Sequence, residues 1–198
     1  MKTLKSICIS LVLFTTFSNA QITKGNWMVG GYGSFSSKKS TTKDNSGTAN
    51  VGIYREIEIS PNIGYFVINQ LAFGVRLGYQ GEFYPGNDNV TEQNYITLSS
   101  GFFARYYFLK PEKLINIFAE GDYLIGNRHG SSWGFDSFDT SINGYKIMVG
   151  STLFFNSSVG LELTLQYSSQ KSLFNQTSVI TDDFQVGLGF QIYLEKNN

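Results

Sequence analysis

Apolar and polar residues alternate with a period of two along most of the chain, which is the pattern of β-strands with one apolar face. The clearest example spans residues 71–83, where Leu, Phe, Val and Tyr alternate with Gly, Arg, Gln and Glu. Seven further segments follow the same pattern, at residues 27–35, 51–63, 96–108, 115–125, 145–155, 159–167 and 184–194. No helical period of comparable length follows residue 20, so the pattern predicts an all-β fold of eight strands.

The connections between the predicted strands alternate in length. Long polar connections occupy residues 36–50, 84–94, 126–140 and 168–183, whereas short ones lie near residues 67–70, 110–113 and 156–158. Antiparallel strands with short turns at one end and long loops at the other are typical of transmembrane β-barrels, whose long loops are extracellular. The spacing therefore predicts an eight-stranded antiparallel up-and-down barrel.

The first twenty residues have the pattern of a secretory signal peptide. Lys2 and Lys5 precede the apolar run 7–14, and Ser18 and Ala20 supply small residues before Gln21. The run is shorter than the roughly 20 residues that a membrane-spanning helix needs. We therefore expect cleavage after Ala20, with residues 21–198 forming one outer-membrane β-barrel domain.

Composition narrows the class of protein. Charged residues make up 15% of the chain and aromatic residues 16%, against roughly 25% charged residues in soluble domains. Fifteen Lys and Arg balance fifteen Asp and Glu, so no basic field is available to bind nucleic acid. The sequence is that of neither a disordered chain nor a nucleic-acid-binding protein.

A soluble lipocalin-like barrel or a secreted sandwich would also alternate with a period of two. Here the polar faces carry mostly Gly, Ser, Thr, Asn and Gln, and aromatic residues cluster near both ends of the apolar faces. Two aromatic belts around an aliphatic band are expected at the two interfaces of a membrane. The alternation therefore favours a barrel in the outer membrane over a soluble one.

Five motifs are spread over the mature chain: residues 59–66 (ISPNIGYF), 71–79 (LAFGVRLGY), 103–108 (FARYYF), 118–121 (FAEG) and 187–194 (GLGFQIYL). They resemble the small outer-membrane β-barrel domain family, the OmpA/OmpX-type eight-stranded group. The resemblance implies a porin-like barrel at the cell surface but no particular activity. The polar tail 195–198 departs from the family, whose barrels often end on an apolar or aromatic residue.

Alternation places eight charged residues on the inward face, as a predicted lumen charge network of Glu56, Glu58, Arg76, Arg105, Glu120, Asp122, Lys146 and Glu162. A tight turn around Val67 would put Glu58 opposite Arg76, and the next turn would put Arg105 near Glu120. The network is either a selectivity filter or proton path, or a neutralised polar core. An eight-stranded barrel has an interior only just wide enough for its side chains, which favours the core.

Arg55 falls on the apolar face, close to the long-loop end of its strand. An arginine near the membrane interface costs little free energy and can extend toward lipid phosphates. Arg55 is then a candidate contact for lipopolysaccharide. A local bulge that turns Arg55 inward is the alternative.

Catalysis and metal binding have little support in the sequence. His129 is the only histidine, and Ser131, Ser132, Asp136 and Asp139 follow it closely. A lipid A-modifying enzyme would need a rigidly held base, whereas residues 126–132 are typical of a flexible loop. With one histidine and no cysteine in the mature chain, a transition-metal site is equally unsupported. We expect no enzyme activity, no metal and no cofactor.

The predicted loop 126–140 carries Trp133, Phe135 and Phe138 among glycines and serines. Exposed aromatic residues in a polar loop tend to mark interaction surfaces, although they could also fold over the barrel mouth as a lid. We expect a structural or adhesive outer-membrane protein, a monomer in contact with lipids including lipopolysaccharide, whose loops bind an extracellular ligand. The alternatives are a small pore or transporter and, less favoured, a lipid A-modifying enzyme.

Overall fold

The computed structural model describes residues 22–44, 47–84, 92–132, 135–174 and 177–195, so the predicted signal peptide lies outside the described residues. These residues form eight strands: β1 (Trp27–Asp44), β2 (Gly47–Ile68), β3 (Leu71–Tyr84), β4 (Gln93–Tyr107), β5 (Ile115–Ser132), β6 (Phe135–Phe154), β7 (Val159–Phe174) and β8 (Thr177–Leu194). Each strand pairs antiparallel with the next, and β8 pairs with β1. The predicted closed eight-stranded barrel is confirmed. In the part of the chain that is described, no helix is long and apolar enough to cross a membrane.

Alternation along each strand decides which side chains face outward. On β3, the side chains of Val75 and Leu77 are 45% and 59% exposed, whereas Arg76 between them is 1% exposed. Successive strand residues point to opposite faces of a sheet, so a polar residue between two apolar ones turns into the barrel. The result is an apolar outer surface around a polar interior, as the sequence predicts.

Three of the four predicted long loops are wrong, because the structure forms strands there. β1 continues to Asp44 and β2 begins at Gly47. In the same way, β5 continues to Ser132 before β6 begins at Phe135, and β7 continues to Phe174 before β8 begins at Thr177. These segments are polar, but the backbone hydrogen bonds that pair two strands of a hairpin do not require an apolar face. Alternating hydrophobicity therefore predicts only the part of each strand that faces lipid. In the fourth loop, residues 85–91 lie outside the described part of the chain.

Buried rings close the barrel at the end with the short turns. We call them the aromatic plug, and they are Phe66, Tyr107, Phe118, Phe154 and Tyr193. The ring centroids of Phe154 and Tyr193 lie 5.3 Å apart, and those of Tyr107 and Phe118 lie 5.7 Å apart. Alternation of apolar and polar residues does not indicate this plug, but adjacent aromatic residues such as Tyr106 and Tyr107 signal it by placing one ring on each face.

The segment before β1 packs against the same end of the barrel. Ile22 is fully buried, and its carbonyl oxygen accepts a 2.9 Å hydrogen bond from the backbone N–H of Gln70. The backbone N–H of Gly25 donates to the carbonyl oxygen of Phe66, also at 2.9 Å. Residues 22–26 are thereby fixed beside the aromatic plug and add to the closure.

The barrel closes along a short seam between its first and last strands. β1 pairs with β8 only from Trp27, opposite Leu194, to Gly33, opposite Leu188. Beyond this point, residues 34–44 of β1 pair with β2 on one side, and residues 177–187 of β8 pair with β7 on the other. We call these two unjoined edges the upper seam.

Candidate functional site

Five of the inward charges join in a central cluster that is shielded from water: Arg76, Arg105, Glu120, Asp122 and Glu162. Arg105 Nε donates to Glu120 Oε2 at 2.6 Å, and Arg105 Nη1 donates to Glu162 Oε1 at 2.7 Å. Arg76 Nη1 lies 2.7 Å from Glu120 Oε1. Glu120 therefore bridges two arginines, and all five side chains are at most 1% exposed.

The strand register explains how this cluster forms. Arg105 and Glu120 are direct partners across β4 and β5, so their contact follows from one pair of strands. Arg76 on β3 lies opposite Gly101 on β4. Because Gly101 has no side chain, the arginine extends over β4 and its Nη1 reaches Asp122 Oδ2 on β5 at 2.6 Å.

A second buried group lies nearer the hairpin end of the lumen. Lys146 Nζ lies 2.5 Å from Glu58 Oε1, and Lys146 also donates a hydrogen bond to the Tyr32 hydroxyl. The Tyr32 hydroxyl and Ser60 Oγ donate to Glu58 Oε1 at 3.0 Å and 3.1 Å. This arrangement satisfies one carboxylate with one ammonium and two hydroxyls from β1, β2 and β6.

The predicted pairing of Glu58 with Arg76 is wrong. In the structure Glu58 lies opposite Gln80, and Arg76 lies opposite Asn62. The hairpin reverses later than a turn around Val67 would require, with a bulge between Phe66 and Ile68 and a turn that ends at Gln70. Each charge consequently finds its partner on a different strand, Glu58 on β6 and Arg76 on β5.

The remaining predicted member, Glu56, lines a polar cavity of about 310 Å³ at the hairpin end, which we call the vestibule. Glu56 Oε1 accepts hydrogen bonds from Gln80 Nε2 at 3.0 Å and from Gln185 Nε2 at 2.6 Å. Arg128 Nη2 lies 2.8 Å from Glu82 Oε2. Carboxylates outnumber cations in the lining, which includes Glu56, Glu58, Glu82, Asp183, Arg128 and Lys146. All eight predicted network residues therefore lie inside the barrel, divided among the central cluster, the Lys146 group and the vestibule.

Arg55 faces outward, so the alternative of a bulge that turns it into the lumen is wrong. It lies opposite Phe83 on β3, and its side chain is exposed. Phe35, Ile57 and Phe83 line an outer cleft of about 760 Å³ together with Arg55. A cation is thus placed among aromatic side chains on the outer surface, in a cleft that Glu92 also lines.

His129 lies in a paired strand, so the flexible loop predicted for residues 126–132 is wrong. Its direct partner across β5 and β6 is Asp139, and His129 Nδ1 lies 2.9 Å from Asp139 Oδ1. Both side chains are exposed. The side chains of Ser131, Ser132 and Asp136 lie outside the described part of the structure.

The predicted aromatic interaction surface lies largely beyond what the structure describes. Trp133 is outside the described residues, and Phe135 and Phe138 belong to β6, where their side chains are not described. Their backbones pair with Ser132 and Gly130 on β5. Within the described residues, no group of three or more His, Cys, Asp or Glu side chains could hold a metal ion.

Solved structures of outer-membrane proteins share this fold. Neisserial surface protein A superposes with a TM-score of 0.53 over 85% of this chain and 97% of its own, at 14% sequence identity. The chain has the fold of the small eight-stranded outer-membrane barrels. The outer membrane protein OprG from Pseudomonas aeruginosa agrees, with a TM-score of 0.52 over 89% of this chain and 100% of its own, at 10% identity. The resemblance to the OmpA/OmpX-type group is thereby confirmed for the fold.

Sequence comparisons add no closer relative. No protein-family model matches the chain, and no curated protein matches it either.

Proposed function

We propose that this protein is exported through its signal peptide to the cell outer membrane, where it serves as a monomeric structural or adhesive barrel. In this role the barrel is an anchor, and the hairpins at its open end are the interacting part. The observation that carries the proposal is the closure of the lumen. The aromatic plug and the buried central cluster lie in series between the short turns and the vestibule.

The closed lumen disfavours the alternative of a pore. Tyr107 and Tyr193 hydroxyls lie 2.8 Å apart, and the guanidinium carbon of Arg105 lies 4.1 Å from the centre of the Phe118 ring. Packed interiors leave few voids larger than a water molecule, so an ion would have to displace these side chains. We expect the purified barrel to give no single-channel current steps in planar bilayers. The variant Tyr107→Ala/Tyr193→Ala, which removes two rings of the aromatic plug, is the comparison with a more open lumen. Regular wild-type steps would overturn the proposal.

Strand length supports an exposed interaction surface. A tilted strand crosses a bilayer in about 9–11 residues, but β2 has 22 residues and β6 has 20. About half of each strand therefore extends beyond the bilayer. Because long connections of membrane barrels are extracellular, the hairpins present their faces outside the cell.

The proposed adhesive surface includes Trp133, Phe135 and Phe138. To test it, bacteria of a non-adherent strain would display either the wild-type chain or the variant with all three residues changed to Ser. We expect fewer variant cells to stay on a protein-coated surface under flow, with the same amount of folded barrel in the membrane. Equal retention of the two strains would remove these residues from the adhesive surface.

We assign the lipid contact to Arg55. Arg55 is exposed and lines a cleft with Phe35 and Phe83, and aromatic residues of membrane barrels meet the headgroups, so the guanidinium can reach a lipid phosphate. Native mass spectrometry with lipopolysaccharide should show fewer bound molecules for Arg55→Gln than for Lys171→Gln, which removes a cation from β7. Equal binding by the two variants would contradict this assignment.

The contact between His129 and Asp139 favours a second candidate function, a lipid-modifying enzyme. A carboxylate that holds Nδ1 of a histidine leaves Nε2 free to act as a base, and Ser131 follows His129 by two positions in the sequence. The test is release of acyl chains from lipid A by the wild-type barrel and by His129→Ala. If the barrel is a structural or adhesive protein, neither the wild type nor His129→Ala releases acyl chains.

A further inference from the structure

The central cluster contains one more acidic than basic side chain. Its three carboxyl groups belong to Glu120, Asp122 and Glu162, and its two guanidinium groups belong to Arg76 and Arg105. All five side chains are at most 1% exposed. If every carboxyl group were ionised, the cluster would therefore hold one excess negative charge out of reach of water.

The neighbouring lysine does not compensate this charge. Lys146 is the direct partner of Asp122 across β5 and β6, but its Nζ lies 2.5 Å from Glu58 Oε1. Lys146 and Glu58 thus neutralise each other. From β1 to β8, the charged and titratable side chains that face this part of the lumen are Tyr32, Glu58, Arg76, Arg105, Tyr107, Glu120, Asp122, Lys146, Glu162 and Tyr193. The three tyrosines add no positive charge, since a phenol is neutral or negative.

A buried group that can take up a proton does so in preference to holding an uncompensated charge. Ionised groups lose their hydration in a protein interior, at a cost that hydrogen bonds do not repay unless the charge is also paired. One proton on one of the three carboxyl groups would leave two carboxylates facing two guanidiniums. The partners of each carboxyl group then decide which one carries the proton.

Two of the three carboxyl groups are held as anions. Glu162 Oε1 accepts hydrogen bonds from Arg105 Nη1 at 2.7 Å and from Thr152 Oγ1 at 3.0 Å. Glu120 has a guanidinium nitrogen at each oxygen, with Arg105 Nε 2.6 Å from Oε2 and Arg76 Nη1 2.7 Å from Oε1. Charge-assisted bonds of this kind favour the ionised carboxylate.

Asp122 is bound less completely. Its Oδ2 lies 2.6 Å from Arg76 Nη1, the same nitrogen that contacts Glu120, whereas its Oδ1 has no hydrogen-bond partner among the described residues. Two carboxyl groups that share a site do not both ionise readily, because their negative charges repel each other. Asp122 is therefore the member of the pair that is better suited to hold a proton.

We propose that the Glu120–Asp122 pair is a proton-binding site, in which Asp122 holds one proton at neutral pH and Glu120 stays ionised between its two arginines. The proton is taken from the solvent and forms an O–H bond on the Asp122 carboxyl group, and no other covalent bond changes. Uptake brings the net charge of the central cluster to zero. The folded barrel then binds one proton more than the unfolded chain, in which Asp122 is ionised in water.

Infrared spectroscopy detects such a proton directly, because a protonated carboxyl group has a C=O stretching band that a carboxylate lacks. We expect this band from the folded wild-type barrel in detergent micelles at neutral pH. The band should shift when aspartate is isotope-labelled at its side-chain carboxyl carbon. Asp122→Asn should lack the band, whereas the matched control Asp182→Asn, which removes an exposed carboxyl group on β8, should keep it.

The stability of the barrel should depend on pH in the direction set by the extra proton. Because only the folded state holds it, the equilibrium constant for unfolding should rise with pH. The rise for the wild type relative to Asp122→Asn should reach about tenfold per pH unit between roughly pH 5 and pH 7. Urea titrations in detergent micelles at a series of pH values measure this ratio. Asp182→Asn should follow the wild type.

A wild-type barrel without the protonated-carboxyl band would overturn the proposal, and this measurement requires no variant. A band that labelled aspartate leaves unshifted would also overturn it, because the proton would then lie on a glutamate. Equal pH slopes for the wild type and Asp122→Asn count against it in the same way. Stability that depends on sodium ions, with no such band, would show that a metal cation and not a proton neutralises the cluster.

Discussion

Arg76 lies directly opposite Gly101, and its guanidinium reaches past this glycine to the acidic residues of the next strand. A Cβ at position 101 would meet the backbone of Tyr123 and the side chain of Leu124 on β5. The glycine therefore lets β4 and β5 approach each other at the point where the arginine crosses. This relationship links a glycine in the strand pattern to the ion pairs that close the lumen.

Gly101→Ala should destabilise the barrel by about 1–3 kcal/mol, the usual cost of overpacking. An added Cβ would overlap the carbonyl oxygen of Tyr123 and lie 2.8 Å from Leu124 Cδ2. The matched control is Gly121→Ala, because a Cβ at position 121 meets no atom within 4 Å. Urea titrations of both variants in detergent micelles measure the difference, and equal midpoints would contradict this account of Gly101.

Glu120→Gln should be among the most damaging single changes in the lumen. Glu120 is the shared partner of Arg76 and Arg105, and loss of one member of a buried charge group costs about 3–5 kcal/mol. Glu82→Gln removes a carboxylate whose partner Arg128 is partly exposed, so its cost should remain about 1 kcal/mol or less. The same urea titrations compare the two variants, and a smaller loss for Glu120→Gln would refute the bridging role.

Double-mutant cycles should identify the true partner of Glu58. Because Lys146 Nζ contacts Glu58 directly, Glu58→Gln and Lys146→Met should be non-additive by about 0.5–3 kcal/mol, as expected for residues in contact. The cycle of Glu58→Gln with Arg76→Leu should give a smaller coupling energy, because Arg76 binds Glu120 and Asp122 instead. A larger coupling with Arg76 would show that the register of β2 and β3 differs from the structure.

Cysteine labelling should separate the two faces of β3. Leu77→Cys lies on the outer face and should react with a lipophilic maleimide from within the bilayer. Gln80→Cys lies on the inner face, where it lines the vestibule, and should react instead with a small water-soluble reagent from the hairpin side. Reversed preferences of these two positions would exchange the lipid and lumen faces.

Local alternation predicts the existence of the strands and the facing of Val75, Arg76 and Leu77, because each residue must face either lipid or lumen. It does not predict the hairpins beyond the apolar band, where a polar residue is accepted on either face. Residues 126–132 illustrate this difference. Their composition is typical of a loop, yet backbone pairing with β6 keeps them in a strand.

The sequence by itself therefore determined the number of strands, the closed antiparallel architecture and the identity of the charges in the lumen, since these depend on a repeating pattern of near neighbours. Only the tertiary structure decided which charges meet. The bulge between Phe66 and Ile68 moves Glu58 away from Arg76, and the narrow lumen brings Glu58 to Lys146 from another part of the chain. Such contacts depend on the register and curvature of several strands together, which no local pattern of residues specifies.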